Sequence, residues 1–245
     1  MSPNSLVMCT DLGGPNPAPA VRGRGHSGEP TLPGAVQFSM RYSTKELSRR
    51  TWPDFERLFS QGNGWDFCWC MHFHRVRFAA GKKIRAERSV INHRDKRALV
   101  NEHRSHGILV YAAGEPVGWC QYGPREELPR IDRSPNYLAY FPSLEREKVW
   151  RITCFVVDKK FRRRGVATAA LKAALESIRN KGGGLVEACP VMDWEDLRAS
   201  ERHRRGHVPS FGNVSTCGTV SMFKKQDFKA VGPFGQLNVL MRRSV

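Results

Sequence analysis

The chain reads as a mixed α/β fold, one sheet flanked by helices, on three observations. Residues 149–178 run as an apolar strand, a basic turn and an amphipathic helix. A second apolar strand, residues 185–189, follows that helix after Gly182, Gly183 and Gly184, and two strands joined by a helix become parallel neighbours through a right-handed crossover. Upstream, apolar runs at 108–111 and 116–122 flank Ala113, Gly114 and Glu115, the pattern of an antiparallel hairpin with a tight glycine turn.

In chain order, residues 1–34 hold six Pro and six Gly with no apolar periodicity. Such a stretch buries too little surface to offset its ordering entropy, so it is expected to be a disordered tail, with residues 35–245 forming one domain. Gly23, Gly25 and Gly28 match a dinucleotide fingerprint by letter, but no strand precedes them and no helix follows. Residues 36–42 are expected as the first strand. Ser43 and Glu46 then have capping-box spacing before a helical stretch, which Trp52 and Pro53 interrupt before Phe55, Leu58 and Phe59 resume it.

Cys68, Cys70, His72 and His74 stand at every second position among aromatics. If the run is extended, these four span about 20 Å, whereas one zinc ion holds its ligands at about 2.3 Å or less. No metal is expected there. Residues 84–106, strongly charged with an imperfect apolar stripe, read as a surface helix. Residues 124–148 are long for a structureless connection, so they are either functional or contain a short helix.

The central unit is the most informative. Ile152, Cys154, Phe155, Val156 and Val157 form a nearly continuous apolar strand, as in a sheet covered on both faces. Ala167, Leu171, Ala174, Leu175 and Ile178 make one stripe of the following helix, opposite Thr168, Lys172, Glu176 and Arg179. Between them, Arg162, Arg163, Arg164, Gly165, Val166, Ala167 and Thr168 place cations, small residues and the unpaired amides of a helix start together. That combination is an anion site; the alternative is a solvated basic turn. Beyond it, residues 216–225 read as a helix and 228–231 and 237–241 as strands. Residues 190–207 segregate acids from arginines in a loop or short ion-paired helix.

Composition narrows the function classes. No apolar run approaches the ~20 residues of a membrane span, and the N-terminus lacks the apolar centre of a signal peptide; a cytoplasmic protein is expected. Seven scattered cysteines are expected to be reduced thiols. The net charge of +17 attracts any polyanion, but neither a helix-turn-helix nor a zinc-finger pattern supports a specific nucleic-acid partner. Nothing in the sequence specifies an oligomeric state.

Arg162-x-x-Gly165-x-Ala167 after an apolar strand resembles the acetyl-CoA pyrophosphate loop of the GNAT acetyltransferases, Gln/Arg-x-x-Gly-x-Gly/Ala. The resemblance covers residues 36–243, and Pro116 to Cys120, Trp150 to Asp158 and Val186 to Pro190 are similar to stretches found in members of that family. It implies a GNAT fold and acetyl transfer from acetyl-CoA to an amine acceptor, with the backbone of Phe155, Val156 and Val157 on the pantetheine. The amides from Arg163 to Thr168 would then hold the pyrophosphate, and Arg162 would support the loop. Arg163 occupies a position that is usually Gly, so a positive φ there means strain. A tyrosine that protonates the departing thiolate in many GNAT enzymes is Phe223 here, which makes Ser221 or water the candidate donor. Glu187, interrupting an apolar strand, is the candidate base, with an ion-paired structural glutamate as the alternative; Cys189 is a minor candidate acyl carrier. The favoured acceptor is a primary amine of a small molecule, including antimicrobial compounds. A protein or peptide acetyltransferase, or a non-catalytic basic module for an acidic partner, are the alternatives.

Overall fold

The computed structural model describes residues 41–63, 65–75, 85–141, 147–193, 215–235 and 237–245. The tail and most of the expected first strand fall outside these residues, as does most of 190–207. Among the described residues the sheet has seven strands: β1 (Ser43–Glu46), β2 (His106–Ala112), β3 (Glu115–Pro124), β4 (Val149–Val157), β5 (Leu185–Ala188), β6 (Lys229–Phe234) and β7 (Asn238–Ser244). Their order is β1-β2-β3-β4-β5-β7-β6. Of these strands only β4 and β5 run parallel; every other neighbouring pair is antiparallel. The mixed α/β reading holds.

One face of the sheet is covered by α4 (Val166–Asn180), whose Ala170, Leu171, Ala174 and Ile178 pack on Ile108, Val110, Ile152 and Phe155. The other face carries α1 (Trp52–Ser60) and α2 (Arg85–Asn101), with Phe55 and Phe59 set against Trp69 and Trp119.

Several expectations are corrected. Ser43 to Glu46 is an edge strand paired with β2, not a capped helix start. The Glu46 carboxylate accepts hydrogen bonds from Tyr122, Ser177 and Lys181 instead of closing a capping box. Pro53 does not interrupt a helix; it sits in the first turn of α1, where its missing N–H costs no intrahelical bond. Residues 65–74 are turns, with Trp69 and Cys70 at φ 47° and 49°, so the extended-strand distance between Cys68 and His74 does not apply. Among the described residues, no group of three or more His, Cys, Asp or Glu side chains is placed to hold a metal ion. Finally, α2 is more than a surface helix, because Asn92, Lys96 and Val100 are buried.

The 124–148 connection contains two 3-10 turns, Arg125–Glu127 and Ile131–Arg133, and α3 (Pro135–Tyr140). It carries Asp132 and Tyr137 to the face of β4 and β5 opposite α4. There Arg151, fully buried, donates to Asp132 Oδ1 (2.6 Å) and to Glu187 Oε2 (3.2 Å). Arg242 of β7 donates to Glu187 Oε1 at 2.6 Å, and the Tyr137 hydroxyl to the same oxygen at 2.9 Å.

Gly107 lets the sheet and Trp119 meet. A Cβ there would lie 1.9, 2.4 and 2.5 Å from three atoms of the Trp119 ring, itself fully buried and packed on Phe55 and Phe59. Gly107→Ala is therefore expected to lower unfolding stability by about 1–3 kcal/mol through overpacking. An unchanged urea midpoint would show that the indole has room to move.

Candidate active site

The site is built where two strands part. β5 stays in register with β4 from Val149↔Leu185 to Ile152↔Ala188 and then leaves; Val191 bridges to Thr219 and Asn238 instead. β4 continues to Val157. At the same level its pairing with β3 slips, Gln121 facing Cys154 while Tyr122 faces Ile152, a bulge that bends the strand. The end of β4 thus presents backbone groups on a side that β5 no longer covers.

At that end lies a cavity of about 470 Å³, lined by Trp65, Phe155, Val156, Val157, Phe161, Arg162, Arg163, Gly165, Val166, Ala167, Thr168, Thr216, Gly218, Thr219 and Met222. The structure thus brings together nine of the ten residues that the sequence assigns to the cofactor. The tenth, Arg164, does not line it: its carbonyl accepts from Tyr42 Oη at 2.9 Å and its guanidinium lies 5.9 Å from the Phe161 ring.

The turn itself follows from local chemistry. The Asp158 carboxylate accepts from Lys160 N (2.8 Å) and starts a 3-10 turn at Lys159–Phe161. Arg162 Nε reaches the Val157 carbonyl at 3.5 Å. Arg163 then enters the left-handed region at φ 59°, and Gly165 follows at φ 85° as the N-cap of α4 without any side-chain cap. The first amides of a 15-residue helix, with the positive end of its dipole, therefore face the cavity beside two guanidinium groups, an arrangement that selects an anion.

The opposite wall comes from residues that the sequence reading misses. Gly218 (φ 75°) brings the chain so close that a Cβ would meet Met222 at 2.5 Å and Phe223 at 3.0 Å. Thr219 then caps α5 (Val220–Lys224), its hydroxyl accepting from Met222 N. A Gly-Thr pair before an apolar run is the available signal for this helix start. Thr216 Oγ1 is buried without a hydrogen-bond partner among the described atoms. A buried hydroxyl on a cavity wall calls for a polar ligand atom.

The catalytic candidates stand elsewhere. Ser221 is on α5, but its hydroxyl donates to Asp193 Oδ1 at 2.6 Å and its N–H to Oδ2 at 2.9 Å; it does not line the cavity. Glu187 is fully buried, outside the cavity lining, with both oxygens engaged by Arg151, Arg242 and Tyr137. Its geometry is that of the ion-paired alternative. Burial, aided by the Glu187 charge, pushes the Cys189 thiol up, away from the thiolate an acyl carrier needs. Phe223 is fully buried against Phe155 and Phe228.

The chain belongs to the acetyltransferase (GNAT) family, whose model matches residues 44–206. No curated protein matches it. Among solved structures it is similar to an acetyltransferase from Thermus thermophilus, at 13% identity and TM-score 0.44, covering 84% of this chain and 99% of that one. It is also similar to a ribosomal-protein-alanine N-acetyltransferase from Brucella melitensis, at 12% identity and TM-score 0.43 over 83% and 99% of the two chains. An N-acetyltransferase from Staphylococcus aureus gives 13% identity and TM-score 0.40 over 84% and 98%. The chain is an acyltransferase that uses an acyl-CoA co-substrate.

Arg163 combines a strained backbone with a useful charge. Arg163→Gly should raise unfolding stability by up to about 1 kcal/mol by removing the left-handed penalty, while weakening acetyl-CoA binding severalfold through loss of a cation. Calorimetry and urea unfolding on the same variant check both; a variant that loses stability would show the φ to be no cost.

Proposed function

We propose that the protein transfers the acetyl group of acetyl-CoA to a primary amine of a small molecule. The observation that carries this reading is the cavity that joins the uncovered edge of β4 to the basic helix start. In it, Phe155, Val156 and Val157 take the pantetheine along their backbone, the amides from Arg163 to Thr168 take the pyrophosphate, and Arg162 supports the turn. Trp65, Thr216, Gly218, Thr219 and Met222 complete the cavity lining, which suits a compact acceptor better than a protein chain laid across an open groove.

The amine attacks the thioester carbonyl, the C–N bond forms and the C–S bond breaks as the thiolate leaves. A thiol with a pKa near 8.5 is a tolerable leaving group, so water suffices as its proton source where Phe223 offers none. Ser221, whose proton is directed at Asp193, acts by fixing the start of α5. Glu187 acts by holding Arg151 and Arg242 at the base of the parted strands, and the ammonium proton of the acceptor goes to solvent.

Two measurements test this. Acetyl-CoA should bind by calorimetry, and Gly165→Glu, which adds bulk and negative charge at the anion site, should weaken binding at least ~100-fold; no binding by the unaltered protein would leave the +17 charge serving an acidic partner instead. A panel of amines, aminated antimicrobials and lysine peptides, read by release of free CoA thiol, should show turnover on small amines, and turnover confined to peptides would overturn the acceptor class. Glu187→Gln should lower stability and leave the acidic limb of the pH–rate profile in place; a flattened limb with kcat reduced about 10²-fold would restore Glu187 as the general base.

A further inference from the structure

The cavity passes through the plane of the sheet, and its two ends differ. Phe155 and Val166 pack with the core on the α4 face, Val156 and Trp65 with the core on the α1 and α2 face, and all four line the cavity. The gap that β5 leaves beside β4 is the passage between them. Arg162, Arg163 and the first amides of α4 belong to the α4 end. An acyl-CoA whose phosphates take those amides and whose arm follows the free edge of β4 brings its thioester toward the other end. An acceptor reaching the acyl carbon there meets Trp65, the aromatic residue that the described lining contributes from the α1 and α2 face.

Trp65 is held firmly where it stands. Its carbonyl accepts from Cys68 N (3.0 Å) and Trp69 N (3.3 Å). The next two residues are tied to α2, Ser89 Oγ donating to the Asp66 carbonyl (2.6 Å) and Asn92 Nδ2 to the Phe67 carbonyl (2.8 Å). The Trp65 ring leans on the buried Phe67 ring, with centroids 6.1 Å apart. Trp65 itself is only half-buried, so part of its surface is left to the cavity that it lines. A fixed aromatic surface loses little freedom when a ligand packs on it, and that makes it an effective anchor.

We propose that Trp65 is the specificity-determining residue for the acceptor, an aromatic platform that selects a monoamine carried on a flat apolar body, an arylalkylamine, over a polyamine or an amino sugar. The inference rests on the acetyl-transfer reading above and names the acceptor class within it. A ring laid against the indole gains from the apolar area it buries and from the ring-on-ring contact itself. A body with several positive charges gains neither. It also enters a cavity whose charged residues, among those described, are Arg162 and Arg163, on a chain of net charge +17, and a field of that sign repels it. A single amine on an aromatic body carries the nucleophile the reaction needs with the least such repulsion.

Initial rates of the full chain with acetyl-CoA and phenethylamine, propylamine or spermidine test this. The unaltered protein should favour phenethylamine over propylamine by at least about tenfold in kcat/KM, the worth of burying one phenyl ring, with spermidine the poorest. Trp65→Ala should cut that preference to about twofold through KM, and Trp65→Phe, which keeps a ring, should retain most of it. The affinity for acetyl-CoA, read by calorimetry, should move by less than about threefold in either variant, since the phosphates are held at the other end. A structural role alone would lower both amines alike and leave the preference standing; that result, or spermidine as the best acceptor, overturns the proposal. Calorimetry of phenethylamine with the CoA-saturated protein needs no transfer step and separates the two readings. Binding that Trp65→Ala abolishes, with no amine turned over by the unaltered protein, sinks acetyl transfer and leaves the platform in place, whereas turnover that is indifferent to Trp65 sinks the platform alone.

Discussion

A guanidinium with no access to water must have its charge and its donors met inside the protein, and Arg151 meets that requirement at the place where the sheet divides. It sits one residue before the last paired position of β4 and β5, Ile152↔Ala188. Its partners come from two directions: Asp132 and the Leu128 carbonyl from the 124–148 connection, and Glu187 from β5. Arg242 of β7 closes the set through Glu187 and lies 3.6 Å from the Phe141 ring. Removing any one member leaves a buried charge behind, so the paired part of the sheet is fixed where the charges are. Beyond it, β5 is free to leave, and the edge of β4 is free to serve a ligand.

The other end of the site depends on steric allowances. Gly118 of β3 lets α4 approach the sheet: a Cβ there would lie 2.2 Å from Val166 Cγ1. Val166 is the first residue of α4 and also lines the cavity. The height of the helix start above β4, and so the distance between its first amides and the strand edge, follows from that missing Cβ. Arg163 carries a backbone penalty in the same turn, and it persists because Gly165, the N-cap and the α4 packing leave the chain no other route.

The elements that the sequence shows clearly are those whose side chains all serve one purpose. The buried faces of β4, α4 and β5 show as apolar runs, and the turn before α4 shows as a cluster of cations at a helix start. The pattern misleads where a residue answers to something distant in sequence. Glu46 has the spacing of a capping partner for Ser43, but its partners are Tyr122, Ser177 and Lys181, 76 to 135 residues away. Glu187 reads as a base because it interrupts an apolar strand; its neighbours Arg151 and Arg242 lie on other strands. The alternation of Cys and His at 68–74 suggests an extended run, yet α2 folds it into turns through Ser89 and Asn92. Thr216 carries no signal of its own, since a hydroxyl on a cavity wall matters only once the opposite wall is known.

Phe223 shows how one packing choice constrains the chemistry. It lies edge-on to Phe155, with centroids 6.1 Å apart, and to Phe228 at 4.9 Å, and it has no exposed surface. A tyrosine hydroxyl at that position would need a buried hydrogen-bond partner. The same contacts fix α5, so that Thr219 and Met222, not residue 223, face the cavity. The helix that elsewhere in the family supplies a proton here supplies a wall, and its start is tied by Asp193 to the chain leaving β5. On the proposed reading, proton transfer falls to water and the acceptor itself, because a buried phenyl ring has no proton to give.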